Sequence, residues 1–262
     1  MELAYITKDP SLAMLAEDSG VDRVFIDLER LGKAERQAGQ GLFLSNHQLE
    51  DIAPIRKVLS QAKLMVRVDP IHPGSEQQIT SVIDAGADLI MLPYFHRLDE
   101  AQEFLDLVGG RAETVLLVET RQAAAILDEL LLLPGLCEIH LGLNDLSLSM
   151  RKKCLFDLLV DGTVEGLCES LQRGGLPYGI GGLAALHRSD LIVPPEMMLA
   201  YQVCLGATRG WLGRTFRDVP ASMLAESIAA LHQTIAFWRN ADAIMKQQMR
   251  IELGRHIIAA RG

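Results

Sequence analysis

The sequence has few cysteines and no long run of apolar residues. Its 262 residues include four cysteines, which are scattered and form no CxxC pair. A chain of this size does not need a disulfide framework, so this usage is typical of a reducing compartment. No apolar run approaches the roughly 18 residues that suggest a membrane span, and the strand-like residues 3–6 follow no basic and apolar leader. We therefore expect a cytoplasmic protein without a membrane anchor.

Clustered positive charge is also lacking. The formal net charge is −9, and the longest run of Lys and Arg is the triplet at residues 151–153. A protein that binds nucleic acid through its phosphates needs a basic patch or stripe. Nucleic acid is therefore not an expected partner.

Short apolar runs alternate with longer amphipathic stretches along the whole chain. This alternation predicts parallel strands that are separated by crossover helices, among them 50–61, 75–85, 98–107 and 121–132. Eight such strands in one chain of this length predict an α/β fold, a single (β/α)8 TIM barrel that forms one domain over residues 1–262. The predicted strands are residues 3–6, 23–28, 63–68, 89–93, 114–119, 138–142, 178–181 and 210–213.

The C-terminal segment from about residue 221 is longer than one barrel helix requires. Its apolar residues recur at helical spacing, at Leu224, Ile228, Leu231, Ile235, Trp238, Met245 and Met249. We expect an extended helical segment whose surplus packs on another subunit, in a homo-oligomer such as a trimer or hexamer. The alternative is a long helix that folds back on its own barrel.

Polar residues gather where the predicted strands end, which is where barrel enzymes carry their chemistry. Glu119 ends the fifth strand, and Asp145 follows the sixth. Two carboxylates that leave positions for water and substrate suit a hard cation, so we predict Mg²⁺ or Mn²⁺ on Glu119 and Asp145. The alternative is that one of them caps a helix, for which Asp145 is a candidate.

Arg67 ends the third strand and offers a planar set of donors for a substrate carboxylate or an enolate oxygen. A salt bridge to Asp27 or Glu29 is a compatible alternative. A Schiff-base aldolase requires a lysine deep in the barrel near a strand's carboxyl end, and no lysine fits this position well: Lys63 starts its strand, and Lys8, Lys152 and Lys153 lie in predicted loops. Metal-assisted chemistry is therefore favoured. Glycines 179, 181 and 182 indicate either an anion-binding loop or only a tight turn.

Several motifs in these regions resemble one family. Over residues 21–216 the chain resembles the HpcH/HpaI aldolase and citrate lyase beta family of the phosphoenolpyruvate/pyruvate barrel superfamily. The motifs are VFIDLE at 24–29, VRV at 66–68, DAGAD at 84–88, MLP at 91–93, VETR at 118–121, LDE at 127–129 and LGLNDLS at 141–147.

The resemblance implies a 2-oxo acid substrate, such as pyruvate or oxaloacetate. It places the metal on Glu119 and Asp145, the oxo acid against Arg67, and Gly142, Asn144 and Pro93 around the substrate. It also implies that the metal stabilises an enolate while the carbon–carbon bond breaks or forms.

One departure from the family concerns proton transfer. Aldolases of this family tend to have Glu-His after the second strand, whereas this chain has Glu29-Arg30. The general base is then Glu29, water held by the metal, His47, or Asp84, which matches a catalytic acid of the aldolases. For His47 the alternative is an exposed loop residue, and the same holds for His72.

Two further features bear on the second substrate. The connection between Pro93 and Thr114 is shorter than in the aldolases, and Lys33 and Arg36 after the DLE segment resemble the citrate lyase branch. The sequence therefore predicts a metal-dependent carbon–carbon lyase that uses a 2-oxo acid and an aldehyde. The alternatives are Claisen-type chemistry on an acyl-CoA, a barrel that only binds metal and oxo acid, and a phosphate-binding isomerase barrel.

Overall fold

The computed structural model describes residues 1–32 and 45–260, so Lys33 and Arg36 lie outside the described residues. Within those ranges, eight parallel strands close into a barrel in chain order, which confirms the predicted (β/α)8 fold. The strands are β1 Glu2–Ile6, β2 Arg23–Asp27, β3 Lys63–Arg67, β4 Leu89–Leu92, β5 Glu113–Val118, β6 Glu138–Leu141, β7 Tyr178–Leu183 and β8 Arg209–Leu212.

Helices follow the strands and cover the outside of the barrel. Their ends have ordinary chemical causes: Asp9 accepts hydrogen bonds from the first amides of one helix, and Gly109, with φ of 57°, ends another in the left-handed region. The α-helices are Pro10–Asp18, Ile52–Val58, Ser75–Asp84, Leu98–Val108, Arg121–Ala125, Leu127–Leu130, Leu143–Ser149, Asp157–Val160, Thr163–Gly174, Pro195–Cys204, Leu224–Asn240 and Ala243–Ala259, with 3-10 helices at Leu49–Asp51, Arg214–Asp218 and Ala221–Met223.

The interior of the barrel is filled by side chains that point inward from the strands. Buried apolar side chains pack closely in the middle of the barrel. This is the usual filling of an eight-stranded barrel, whose interior is a packed core and not a pore. These interior residues are Ala4, Phe25, Met65, Leu89, Met91, Val115 and Leu117.

Ion pairs close the amino end of the barrel. Arg23 lies 2.7 Å from Glu2 and 2.8 Å from Glu138, and Arg209 approaches the same Glu138 carboxylate to 2.7 Å. The Glu138 side chain is only 3% exposed, so its charge requires these two arginines. Four residues from four strands thus form one network around the buried Glu138 carboxylate.

The two C-terminal helices pack on the chain's own barrel. Leu224, Ile228, Leu231, Ile235 and Trp238 are buried in one cluster that also contacts Met245 and Met249. The apolar positions expected to face another subunit are therefore covered within the chain, as in the alternative arrangement. Homo-oligomerisation stays a prediction. Over the described ranges, no helix is both long enough and apolar enough to cross a membrane.

Candidate active site

A cavity of about 610 Å³ opens at the carboxyl end of the strands. Its size is in the range of small-molecule sites. Asp27 and Arg67 are the last residues of β2 and β3, while Glu119 and Asp145 follow β5 and β6, and all four side chains line this cavity. The closed barrel therefore brings four of the polar strand-end residues to one place.

Glu119 and Asp145 are buried acids on the wall of the cavity, with 4% and 6% exposure. The backbone amide of Tyr94 donates to Glu119 Oε1 at 3.0 Å. Tyr94 has a φ of 46°, a strained conformation for a residue other than glycine. The chain after β4 thus adopts an unfavourable backbone angle where its amide orients a site carboxylate.

The structure contradicts the alternative that Asp145 caps a helix. Gly142 is the N-cap of helix Leu143–Ser149, and no side chain supplies a capping hydrogen bond there. Asp145 is the third residue of the helix and lies in its first turn, near the positive end, where a carboxylate is favoured. Asn144, also in this first turn, is exposed and lines the cavity.

The donor set fits one divalent cation with open positions. Carboxylate oxygens are what Mg²⁺ and Mn²⁺ prefer, and such catalytic sites often use one or two protein carboxylates plus substrate and water. Among the described residues no group of three or more His, Cys, Asp or Glu is arranged to hold a metal ion. Glu119 and Asp145 would therefore be completed by ligands from the cavity.

Gly142 makes room for the Glu119 carboxylate. A Cβ atom at this position would lie 2.7 Å from both Cβ and Oε2 of Glu119, well inside van der Waals contact. The glycine of the LGLNDLS motif therefore has a steric role at the site, in addition to lining the cavity.

Replacing Gly142 with alanine should displace the Glu119 side chain and weaken metal binding by about 10- to 100-fold, the usual cost of disturbing a ligand's surroundings. Isothermal titration with Mn²⁺ measures this effect. Gly166→Ala is the matched control because a Cβ there meets nothing within 4 Å. Equal Mn²⁺ affinity in the Gly142 variant and the wild type would contradict the steric role.

Arg67 forms salt bridges with both Asp27 and Glu29, the residues predicted as its alternative partners. Its Nε and Nη2 donate to the two Asp27 oxygens at 2.8 and 2.7 Å, and Nε lies 3.4 Å from Glu29. Burial lowers the pKa of Arg67, but Asp27, Glu29 and, more weakly, Glu119 outweigh it and raise the pKa above its ordinary value. Arg67 is therefore a permanent, oriented cation on the cavity wall.

His47 lies beside Asp27, the partner of Arg67. It is buried, with 7% exposure. Its Nδ1 accepts a hydrogen bond from the Asp27 amide at 3.1 Å, so the ring proton is on Nε2. Burial lowers its pKa despite the opposing charge of Asp27, which makes the ring neutral at neutral pH. The alternative of an exposed loop residue is wrong for His47. His72 is half-buried, and its Nδ1 accepts from the Gly74 amide.

Arg30 occupies the position where the family has histidine, and it makes hydrogen bonds to Asp69 and His47. Its backbone amide donates to Asp69 Oδ1 at 2.7 Å, and its guanidinium donates to the His47 carbonyl at 2.7 Å. Arg30 is exposed, whereas the preceding Glu29 is buried. The residue thus connects the loop after β2 to His47 and Asp69.

The structure does not bring Asp84 or Pro93 to the cavity. Asp84 is exposed and ends the helix Ser75–Asp84, which returns the chain to the amino end of β4. Within one chain it therefore lies at the opposite end of the barrel from Glu119, and it is wrong as a general base there. Pro93 is buried behind the wall, and its neighbour Tyr94 reaches Glu119 instead.

Sequence reasoning missed His140, a fully buried residue of β6 that lines the cavity. Its Nε2 lies 2.8 Å from the Gly181 carbonyl, and its ring stacks on Trp211 with centroids 3.7 Å apart. Burial lowers the pKa to about 3, so the ring is neutral. Gly179 provides the space, because a Cβ there would lie 2.2 Å from His140 Nδ1. The sequence did carry a signal for this residue, namely a histidine inside an otherwise apolar stretch of the predicted strand 138–142.

The outer rim of the cavity comes from the connections after β7 and β8. Arg214 and Arg217 follow β8, and Asp190 belongs to the connection after β7. Arg188 pairs with Asp190 and with Asp218, so it joins these two rim segments. The remaining wall is largely apolar and is formed by Leu155, Phe156, Leu191, Ile192, Val193 and Met198.

Solved structures with the same fold include enzymes of carbon–carbon bond chemistry. Citrate synthase SbnG aligns with a TM-score of 0.62 and 19% identity over 88% of this chain and 93% of its own. An HpcH/HpaI aldolase from Desulfitobacterium hafniense DCB-2 aligns with a TM-score of 0.63 and 15% identity over 92% and 94%. RipC from Yersinia pestis aligns with a TM-score of 0.60 and 13% identity over 94% and 97%. These identities establish similarity of fold alone.

The sequence gives a more specific assignment. No curated protein matches it. The family model of HpcH/HpaI aldolase/citrate lyase matches residues 5–155, which is more than half of the chain and runs from within β1 to beyond β6. The chain therefore belongs to the HpcH/HpaI aldolase/citrate lyase family.

Proposed function

We propose that this protein is a divalent-metal-dependent carbon–carbon lyase, which forms or cleaves an aldol bond next to a 2-oxo acid such as pyruvate or oxaloacetate. The observation that carries this proposal is the cavity wall itself. Two buried carboxylates, Glu119 and Asp145, share it with the oriented cation Arg67, in a chain of a family that contains aldolases and citrate lyases.

Glu119 and Asp145 would hold Mg²⁺ or Mn²⁺. When bound, the cation supplies Lewis-acid polarisation of a keto oxygen. Arg67 complements this by holding positive charge where an oxo acid gains negative charge, and fixed charges in a desolvated site are effective because they need no reorganisation. Asp27 fixes the guanidinium plane through two hydrogen bonds.

Proton transfer then falls to the carboxylates paired with Arg67. Asp27 lines the cavity, and Glu29 lies on the other side of Arg67's Nε, 3.4 Å away. A carboxylate is the kind of group that can accept a proton from a substrate carbon. We assign the general base to Asp27 or Glu29 rather than to Asp84, which is at the opposite end of the barrel.

Claisen-type chemistry on an acyl-CoA is the second candidate. The similarity to citrate synthase SbnG over most of both chains supports it, and the same Glu119, Asp145 and Arg67 would serve. Turnover of oxaloacetate that requires acetyl-CoA would favour this reaction, whereas turnover with an aldehyde alone favours the aldol reaction.

Calorimetric titration with pyruvate or oxaloacetate, in Mn²⁺ and then in EDTA, tests the proposed function. We expect binding that requires Mn²⁺ and is lost in Asp145→Asn, because the amide removes the charge that holds the cation. Asp106→Asn, on an exposed helix away from the mouth, is the control and should bind normally. Metal-independent binding, or binding that survives in Asp145→Asn, would contradict the site.

A further inference from the structure

Three aromatic side chains form the floor of the cavity, and the proposed reaction does not yet use them. Phe25, His140 and Trp211 contact one another inside the barrel and come from the even-numbered strands β2, β6 and β8, which is how the side-chain layers of such a barrel are built. Asp27, two residues beyond Phe25 on β2, lines the cavity, and alternate residues of a strand share a face. This aromatic floor therefore lies directly beneath the polar wall.

Trp211 is the residue of the aromatic floor that is uncovered. Phe25 and His140 are fully buried, whereas Trp211 is partly exposed and lines the cavity. Its side chain packs against the apolar interior of the barrel. Because a side chain inside a closed barrel is exposed only toward an open end, the uncovered part of the indole faces the cavity.

His140 fixes the plane of the Trp211 indole. The two rings are stacked, with centroids 3.7 Å apart and an angle of 9° between their planes, and His140 Nε2 donates to the Gly181 carbonyl at 2.8 Å. Over the described part of the chain, the buried Nδ1 atom of His140 has no hydrogen-bond partner. An unpaired buried acceptor destabilises a fold, so this histidine has a cost that an apolar side chain would avoid.

The barrel places Trp211 opposite the groups assigned to the oxo acid. Closure of the strands in chain order puts β8 across the barrel from β4, whereas Arg67 ends β3, and Glu119 and Asp145 follow β5 and β6. An oxo acid held by its carboxylate and keto oxygens at these groups would direct its third carbon toward β8. The Arg67 Cζ atom lies 5.7 Å from the Phe25 ring centroid, so the cation that meets the oxo acid rests on the aromatic floor.

The third carbon is where the bond forms or breaks under the proposed function. That bond faces the open mouth, from which the aldehyde enters. A further alkyl group on the same carbon would meet the Trp211 indole, which His140 on one strand and Phe25 on another prevent from moving aside.

We propose that Trp211 is a specificity-determining residue for the oxo acid, and that His140 is a positioning residue that acts through it. The indole occupies the space that a substituent on the third carbon would need, so the enzyme enolises pyruvate in preference to a longer 2-oxo acid such as 2-oxobutyrate. This inference rests on the proposed function and extends it to the size of the oxo acid.

Proton exchange on the third carbon measures this preference without an aldehyde. In D₂O the base takes a proton from this carbon, the electron pair of the broken C–H bond enters the enolate, and a solvent deuteron then forms the new bond. NMR follows the exchange of pyruvate and 2-oxobutyrate in Mg²⁺. We expect wild-type kcat/KM to favour pyruvate by about 10- to 200-fold, the range for one methylene group in a closely fitting pocket.

Trp211→Ala should raise kcat/KM for 2-oxobutyrate above the wild-type value, because it opens the space beside the third carbon. A damaged fold would lower the rate with both acids, so a gain with the larger one is specific. Trp211→Phe keeps a smaller ring and should show an intermediate preference, which provides a second variant if the alanine variant does not fold.

Two variants of His140 test its positioning role. His140→Ala removes the ring that the indole stacks on and should weaken the preference for pyruvate in the same direction as Trp211→Ala. His140→Phe keeps a ring against the indole and should retain most of the preference. Phe237→Ala is the matched aromatic control, because Phe237 is 57% exposed on the helix Leu224–Asn240, and its preference should equal that of the wild type.

Fluorescence reports binding beside the indole directly. The chain has two tryptophans, and the other, Trp238, is buried among the C-terminal helices. In Trp238→Phe all tryptophan emission comes from Trp211, and pyruvate with Mg²⁺ should change it. The same titration should leave the emission of Trp211→Phe unchanged.

The outcomes separate this inference from the proposed function. Absence of pyruvate exchange in the wild type would overturn the proposed function and this inference with it. If pyruvate exchanges, the Trp211 assignment alone fails when the wild type does not favour pyruvate, when both Trp211 variants keep the wild-type preference, or when the emission of Trp238→Phe does not respond. A wild-type preference in His140→Ala would overturn the positioning role of His140.

Discussion

Replacing Glu119 with glutamine should lower turnover of the 2-oxo acid by about 10²- to 10³-fold, the usual cost of removing one electrostatic stabiliser from an active site. Glutamine keeps the shape of the side chain and can still accept from the Tyr94 amide, which now donates to Glu119 Oε1 at 3.0 Å. The variant removes only the negative charge. Steady-state kinetics over a range of Mn²⁺ concentrations is the measurement, since a weakened metal site is partly restored by excess metal.

Glu113→Gln supplies the control on the same strand. Glu113 begins β5 at the amino end of the barrel and pairs with Lys63, and both side chains are more than 40% exposed. Its charge should not influence the reaction. If both variants retained wild-type turnover, Glu119 would not be part of the active site and the metal assignment would fail.

Replacing Glu138 with alanine should lower the free energy of unfolding by about 3–5 kcal/mol, the cost of leaving a buried charge uncompensated. The loss arises because Arg23, with 5% side-chain exposure, and Arg209, with 16%, would lose their shared buried carboxylate and keep only Glu2, which is 41% exposed. Urea unfolding followed by circular dichroism measures it. Such a loss is a large part of the stability of an ordinary domain.

The exposed ion pair between Lys63 and Glu113 provides the comparison for this prediction. Lys63→Gln should change the free energy of unfolding by less than about 1 kcal/mol, as is usual for exposed ion pairs. The difference between the two variants isolates burial as the cause. A small effect of Glu138→Ala, similar to that of Lys63→Gln, would show that water reaches the network and screens it.

The fold and the deep wall of the site follow from local patterns. Alternation of apolar runs with amphipathic stretches determines the number of strands and helices, and the carboxyl ends of parallel strands must meet at one end of a barrel. This is why Arg67, Glu119 and Asp145 were brought together as predicted from sequence. The steric role of Gly142 depends on the neighbouring strand, so the motif alone did not reveal it.

Other residues of the site depend on contacts far apart in the sequence. His47 is buried next to β2, where the Asp27 amide, 20 residues earlier, donates to it. His140 fits inside the barrel because Gly179, on the next strand, has no side chain. Asp84 was misplaced because a motif shared with aldolases was interpreted without its position at the end of a helix. Local periodicity carries no information about such pairings.

The closed amino end of the barrel also bears on how two ligands would share the cavity. The network of Glu2, Arg23, Glu138 and Arg209 and the packed apolar interior above it leave the carboxyl end as the route into the described cavity. Glu119, Arg214 and Arg217 line this one cavity. We expect a molecule held at the rim to slow the exit of a ligand bound deeper, so that the inner ligand binds first and leaves last.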